Sequence, residues 1–237
     1  MARPVTLFTA QWADLPFTTM CEKAKAFGYD GLEIVSWGDQ LDLEKAAKDS
    51  KYVEDKKALL KKHGLGWWAI GTHIVGQAVA DAEDPRIAAF VPEKYHGKPD
   101  QIRSWAVEQM KYAPLAAKNM GVDVITGFTG SPIFKYVYSF PPTTDQMVKD
   151  GFKKIVDLWG PIFDEFDKHG VKFGLEIHPG EIAFDYYSWV QLLEAFNNRK
   201  TLGINFDPSH LVWQGMKPEL LIRDFPDRIY HVHMKDA

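Results

Sequence analysis

Glu176, Asp207 and His233 lie near the downstream ends of three apolar runs, VKFGLEIHP, LGINFDPSH and IYHVHMKDA. Carboxylates and an imidazole together form an oxygen and nitrogen ligand set that suits Mn, Mg, Co or Zn without choosing among them. A divalent metal ion is therefore the expected cofactor. The runs follow one another at intervals of roughly 25 to 30 residues, enough for a helix to return the chain to the start of a neighbouring parallel strand. Three successive strands would then deliver a carboxylate, a carboxylate and an imidazole to one rim. In a (β/α)8 barrel the reactive groups sit at the C-terminal strand ends, so these positions predict a site assembled by the barrel rather than by a local motif.

Side chains alternate along a strand, which turns Glu176 and His178 the same way, and likewise His231 and His233. With Leu175 and Ile177 directed at the helices, Glu176 points into the barrel. A carboxylate there is costly unless it is compensated by a metal ion or by an Arg or Lys in the barrel layers. The remaining histidines sort by position. His73, His178, His210 and His233 close strands three, five, six and seven and predict one rim cluster. His63 and His169 precede helix-ending glycines and suit the carbonyl end of a helix dipole. His96 lies in a polar loop, and His231, one layer deeper than His233, reads as structural. Glu33 in GLEI points inward too, as a catalytic carboxylate or as the buried partner of a base. Trp12 and Trp37, ending strands one and two, suit stacking on a sugar face or packing at the rim. Gly130, Ser131 and Pro132 form a loop whose backbone N–H groups could face a phosphate.

These residues need elements to carry them. Four times an amphipathic stretch closes on glycine before an apolar strand begins, in AFGYDGLEI, KHGLGWWAI, NMGVDVITGF and KHGVKFGLEI, with the closures at Gly28, Gly64, Gly121 and Gly170. Glycine is favoured just past a helix end, where positive φ redirects the chain. Strands are predicted at 5–11, 31–36, 66–72, 122–128, 172–178, 202–207 and 229–234. One helical face joins Phe17, Met20, Ala24 and Phe27, another Phe152, Ile155, Trp159, Phe163 and Phe166, a third Trp189, Leu193 and Phe196. Asp14 is the expected N-cap of the first helix, and Pro114 and Pro161 are expected to bend or divide theirs. Stretches 74–100 and 129–145 read as long loops over the rim. The fold class is thus α/β, a single (β/α)8 barrel over 1–237 with seven strands present. An eighth strand is expected beyond Ala237, or from a partner subunit or second copy.

Composition narrows the partners. The chain has 237 residues, 46% hydrophobic and 14% aromatic, with 28 Lys and Arg against 32 Asp and Glu, for a net charge of −4. That charge offers no basic footprint for nucleic acid, and no apolar run approaches the ~20 residues of a membrane span. A small-molecule partner is expected. The N-terminus lacks the order of a secretory signal and the single Cys21 forms no internal disulfide, so a cytoplasmic setting is the default.

With LEIHP, NFDPSH and HVHMKD in view, the chain resembles the xylose-isomerase-like TIM-barrel superfamily, which contains sugar isomerases and epimerases, inosose dehydratases and AP endonucleases of the endonuclease IV type. The resemblance spans nearly the whole chain and is specific at strands five to seven. It implies a carbohydrate substrate and metal ligation by Glu176, Asp207 and His233, with a fourth ligand, a Glu of strand eight, outside this sequence. It implies that Glu176 also acts as a base and that His210 binds substrate, beside further candidate substrate contacts at His178, His73, Glu33, Trp12 and Trp37. The implied reaction is isomerisation or epimerisation of a sugar, keto-sugar or sugar phosphate through a metal-stabilised enediolate. A lyase that expels a β-substituent, as in inosose dehydration or 3-keto C-glycoside cleavage, is the alternative, with Trp67, Trp68, Phe134, Tyr136 and Tyr138 suited to a bulky aglycone. AP endonuclease activity is disfavoured, because VITGFTG lacks the extra strand-four histidine. A non-catalytic barrel subunit is the remaining reading.

Overall fold

A computed structural model describes residues 3–237. Seven strands run in chain order: β1 Thr6–Phe8, β2 Gly31–Val35, β3 Gly66–Gly71, β4 Val124–Gly127, β5 Lys172–Glu176, β6 Leu202–Phe206 and β7 Ile229–Val232. Each pairs in parallel with the next, in the order β1-β2-β3-β4-β5-β6-β7. The sheet curls with helices packed outside it. Among the described residues β1 and β7 are edges and do not pair with each other.

The helices between strands are α1 Phe17–Ala26, α2 Leu43–Lys48, α3 Ser50–Lys62, α4 His73–Ala80, α5 Pro99–Met120, α6 Asp145–His169, α7 Tyr186–Ala195, α8 Pro208–Trp213 and α9 Glu219–Asp224. Helix α6 shows why they form. Thr144 accepts from the Met147 N–H as N-cap, Asp145 sits in the first turn, Lys168 and His169 in the last, and Gly170 closes it at φ +65°. Each choice suits the helix dipole or its unsatisfied backbone groups. Its buried stripe of Ile155, Trp159, Ile162, Phe163 and Phe166 faces β5, where Trp159, Phe163 and Phe166 surround Phe173 with ring centroids 5.1, 5.6 and 5.7 Å away. Burying side chains of this size contributes roughly 1.5–3 kcal/mol each, so α6 fixes where β5 delivers Glu176.

All four predicted glycine closures have positive φ. Several local expectations are corrected. Pro114 and Pro161 lie inside continuous helices, since losing one backbone bond is outweighed by the buried faces around it. Phe27 falls outside the buried face of α1, being 57% exposed. Asp14 does not cap α1; the Asp39 carboxylate accepts from the Phe17 N–H at 2.9 Å instead. The stretch 74–100 is no plain loop, as it contains nearly all of α4 and the first residues of α5. Strand β1 ends earlier than alternation suggests because a side chain takes over its ladder. After β1 the chain enters a 3-10 turn at Thr9–Trp12, and the Thr9 hydroxyl accepts from the Val35 N–H at 3.1 Å.

Candidate metal centre

At the C-terminal strand ends a cavity of about 610 Å³ is lined by Glu33, His73, Glu176, His178, His210, His231, His233 and Lys235, with Trp12 and Trp37 at its edge. Glu176 ends β5 and is its centre. Its Oε2 lies 3.1 Å from His73 Nε2 and 3.1 Å from His233 Nδ1, and its Oε1 lies 3.2 Å from His210 Nε2. Burial acts to raise this carboxyl, but hydrogen bonds from His210, His233 and His73 outweigh it and hold the group well below the usual carboxylate range.

Each imidazole arrives on a different element. His73 opens α4 rather than closing β3, and Phe128 meets its ring edge-on at 4.7 Å. Gly76 allows that contact, because a Cβ there would stand 2.1 Å from the Phe128 carbonyl oxygen. His210 lies in α8, and His178 follows β5 in a turn, its ring centroid 3.9 Å from that of His210. Burial, then the neighbouring His210, keep His178 below the ordinary imidazole range. His233 continues β7, its N–H bonding the Phe206 carbonyl at 2.9 Å. Its ring spans two carboxylates, with Nδ1 on Glu176 and Nε2 2.7 Å from Glu33 Oε2. Burial would lower His233, but Glu33 and Glu176 push it up to about 10. Three donor groups fit within 4.8 Å: Glu33 with His231 and His233, His73 with Glu176 and His233, and Glu176 with His178 and His210.

Asp207 stands apart from those three groups among the described residues. Its Oδ1 caps α8, accepting from the Ser209 N–H at 2.9 Å and the Ser209 hydroxyl at 2.6 Å. Its Oδ2 is buried without a hydrogen bond and faces His210 Nε2 at 3.5 Å and the Lys235 ammonium at 3.0 Å. A buried carboxylate oxygen satisfied only by a cation, beside a second carboxylate ringed by imidazoles, is a donor set that fits a divalent ion. The 3.1 Å spacing of Glu176 from His233 also fits two ligands about 2.1 Å from one metal, which stand roughly 3.0–3.4 Å apart.

Trp12 lies in the 3-10 turn after β1 and Trp37 in a bend after β2, where it meets Phe8 edge-on. Trp67 and Trp68 belong to the opposite rim, at the start of β3, and Trp67 Nε1 donates to the Met120 carbonyl. They cannot flank this site. The amides of the loop at 129–131 are already engaged: those of Thr129 and Gly130 donate to Glu181 Oε2 at 2.7 Å each, and that of Ser131 to Asp81 Oδ2 at 3.3 Å. Sequence reasoning passed over Lys235 and Asn205. Lys235 Nζ lies 2.7 Å from His210 Nε2, and Asn205 Nδ2 donates to Glu176 Oε2 at 3.2 Å. The alternation that pairs His231 with His233 extends to Lys235, and the one that turns Asp207 inward extends back to Asn205.

A family model described as Xylose isomerase-like TIM barrel matches residues 21–237. The uncharacterized protein YfiH of Bacillus subtilis (strain 168) is 23% identical over 239 residues, covering 94% of this chain and 69% of that protein. The 3-keto-D-glucoside 4-epimerase YcjR of E. coli superposes with a TM-score of 0.69 at 16% identity, covering 99% of this chain and 80% of YcjR. The probable 3-DHS dehydratase AsbF of Bacillus anthracis gives 0.68 at 18% identity, covering 98% and 73%. At these identities the two solved structures show a shared fold.

Proposed function

The chain belongs to the xylose isomerase-like TIM-barrel family, and on that premise we propose a divalent-metal-dependent isomerase or epimerase of a sugar, keto-sugar or sugar phosphate. The observation that carries this reading is the Glu176 carboxylate, buried at the strand ends and met by imidazoles at 3.1, 3.1 and 3.2 Å. We assign Glu176, Asp207 and His233 to hold the metal. When bound there, a divalent cation would polarise adjacent carbonyl and hydroxyl oxygens and acidify the C–H between them.

The protein's own groups supply the rest. Glu176, held ionised by its imidazoles, takes the proton from that carbon. His210 and His178 lie beside Glu176 on the cavity wall, and we assign them to substrate hydroxyls, with His73 behind them. Lys235, 52% exposed and bonded to His210, can donate a proton to a developing oxyanion. Trp12 and Trp37 close one side of the cavity with flat apolar surface suited to the C–H face of a sugar ring.

Incubating the protein with Mn²⁺ and a panel of keto-sugars in D2O tests this reading. A product of unchanged covalent structure apart from one solvent deuterium is expected. Release of a fragment would move the assignment to β-elimination, the chemistry for which the His210 and Lys235 pair could serve a leaving group. Absence of both metal binding and exchange would sink the proposal.

A further inference from the structure

We propose that Glu33 is a positioning residue that grips the His233 imidazole by Nε2 and so presents Nδ1 to Glu176 and the metal; the inference rests on the ligand assignment above. Glu33 comes from β2 and His233 from β7, so the contact spans the barrel interior. Glu33 Oε2 lies 2.7 Å from His233 Nε2 and 2.8 Å from His231 Nε2, and the Thr126 hydroxyl donates to Oε1. Three of the roughly four acceptor sites of the carboxylate are therefore taken. Glu33 is 1% exposed, and these contacts favour a positioning role over the catalytic and substrate-binding roles considered for it.

The other neighbours of His233 hold the ring in place. Asn205 Nδ2 stands 3.1 Å from Nδ1 and donates to Glu176, while the Phe8 and His73 rings cover the faces of the imidazole at centroid distances of 4.9 and 5.8 Å. Each ring nitrogen faces a carboxylate, Nδ1 at Glu176 and Nε2 at Glu33; an ion held beside Glu176 would take the Nδ1 lone pair and leave the Nε2 proton to the shorter, 2.7 Å contact with Glu33. A carboxylate on the outer nitrogen of a ligating histidine fixes ring orientation and raises ligand basicity, and its loss typically costs about 10–100-fold in metal affinity. His231 holds the second lone pair of the same oxygen and keeps Glu33 from turning away.

Calorimetric titration with Mn²⁺ and Co²⁺ of the wild type, Glu33→Gln, Glu33→Asp and His233→Gln tests the assignment. One ion per chain is expected in the wild type, with binding about 10–100-fold weaker in Glu33→Gln, a changed Co²⁺ absorption spectrum, and partial recovery in Glu33→Asp. Near-wild-type affinity and spectrum in Glu33→Gln, while His233→Gln loses the ion, would overturn the role of Glu33 and leave the ligand assignment standing. Wild-type affinity in His233→Gln would instead remove the ligand assignment, and this inference with it. Two ions per chain, falling to one in Glu33→Gln, would make Glu33 a ligand and overturn the proposal. Long-range ¹H–¹⁵N correlation of wild-type histidines with Zn²⁺ gives a readout free of any folding defect in the variants. A proton on Nε2 of His233 is expected, and a proton on Nδ1 would overturn it.

Discussion

Glu176 concentrates three histidines on one carboxylate, so a change of a single oxygen there should be felt by metal and chemistry together. Glu176→Gln is expected to weaken Mn²⁺ binding by at least about 100-fold and to abolish solvent-deuterium incorporation, as checked by calorimetry and mass spectrometry. His210 tests the division of labour. It meets both Glu176 and Asp207 through Nε2 but also takes the Lys235 ammonium at 2.7 Å, an arrangement suited to substrate rather than to primary ligation. His210→Asn should lower turnover about 100-fold while metal content stays near that of the wild type. Loss of the metal would move His210 into the ligand set. Which residues were visible beforehand follows from periodicity. Alternation along β5 and β7 turns Glu176 and His233 inward; His73 and His210 were legible as rim histidines from their place after strands three and six, but not as members of helices that begin two residues past the strand ends.

At the scale of elements, the chain was legible where a period is long and the closure chemical. In helix α6 most of the buried stripe and the glycine exit were legible, whereas the Thr144 cap and the unbroken passage through Pro161 were not. Strands of three to six residues have too few alternations to fix their ends, and at β1 the Thr9 side chain replaces the next backbone acceptor. The stretch 74–100 was misread for a similar reason: α4 is apolar on most sides, with His73, Val75, Gly76, Ala78, Val79 and Ala80 buried, so it carries little helical contrast. The packing of α6 on β5 yields a quantitative expectation. Phe163→Ala removes a ring that meets Trp159, Phe166, Phe173 and Phe196, and should cost about 3–5 kcal/mol in urea unfolding. A cost below about 1 kcal/mol would mean that the α6 face does not anchor β5.

For the whole molecule, a second acidic pair lies behind the rim and ties the loops after β4 and β5 together. Burial, then the nearby Asp81 charge, push Glu181 up to about 8 despite donation from the Thr129 and Gly130 amides and the Thr129 hydroxyl. Asp81, raised mainly by burial to about 6, faces Gln77, the Ser131 amide, Asp84 and Lys135. A carboxyl raised on folding binds more protons in the native than in the unfolded state between its two pKa values. The stabilisation is complete below the ordinary carboxyl pKa and is lost as pH rises to about 8. Thermal midpoints should accordingly fall over that range, and Glu181→Gln should flatten the decline and raise the midpoint at pH 8. An unchanged slope in the variant would show that other groups dominate.

The contact of Glu33 with β7 also has a mechanical side. Among the described residues strand β7 pairs with β6, and across the barrel interior His231 and His233 reach Glu33 of β2. Those two imidazoles are thus side-chain struts between β7 and β2, beside the backbone ladder that β7 shares with β6. Local opening needs far less than global unfolding, so weakening one strut should let the β7 amides exchange with solvent through a local route. His231→Ala removes one strut without touching the ladder. Deuterium uptake at 229–232 should then rise well ahead of β2 to β5, β7 breathing while the rest of the sheet stays closed.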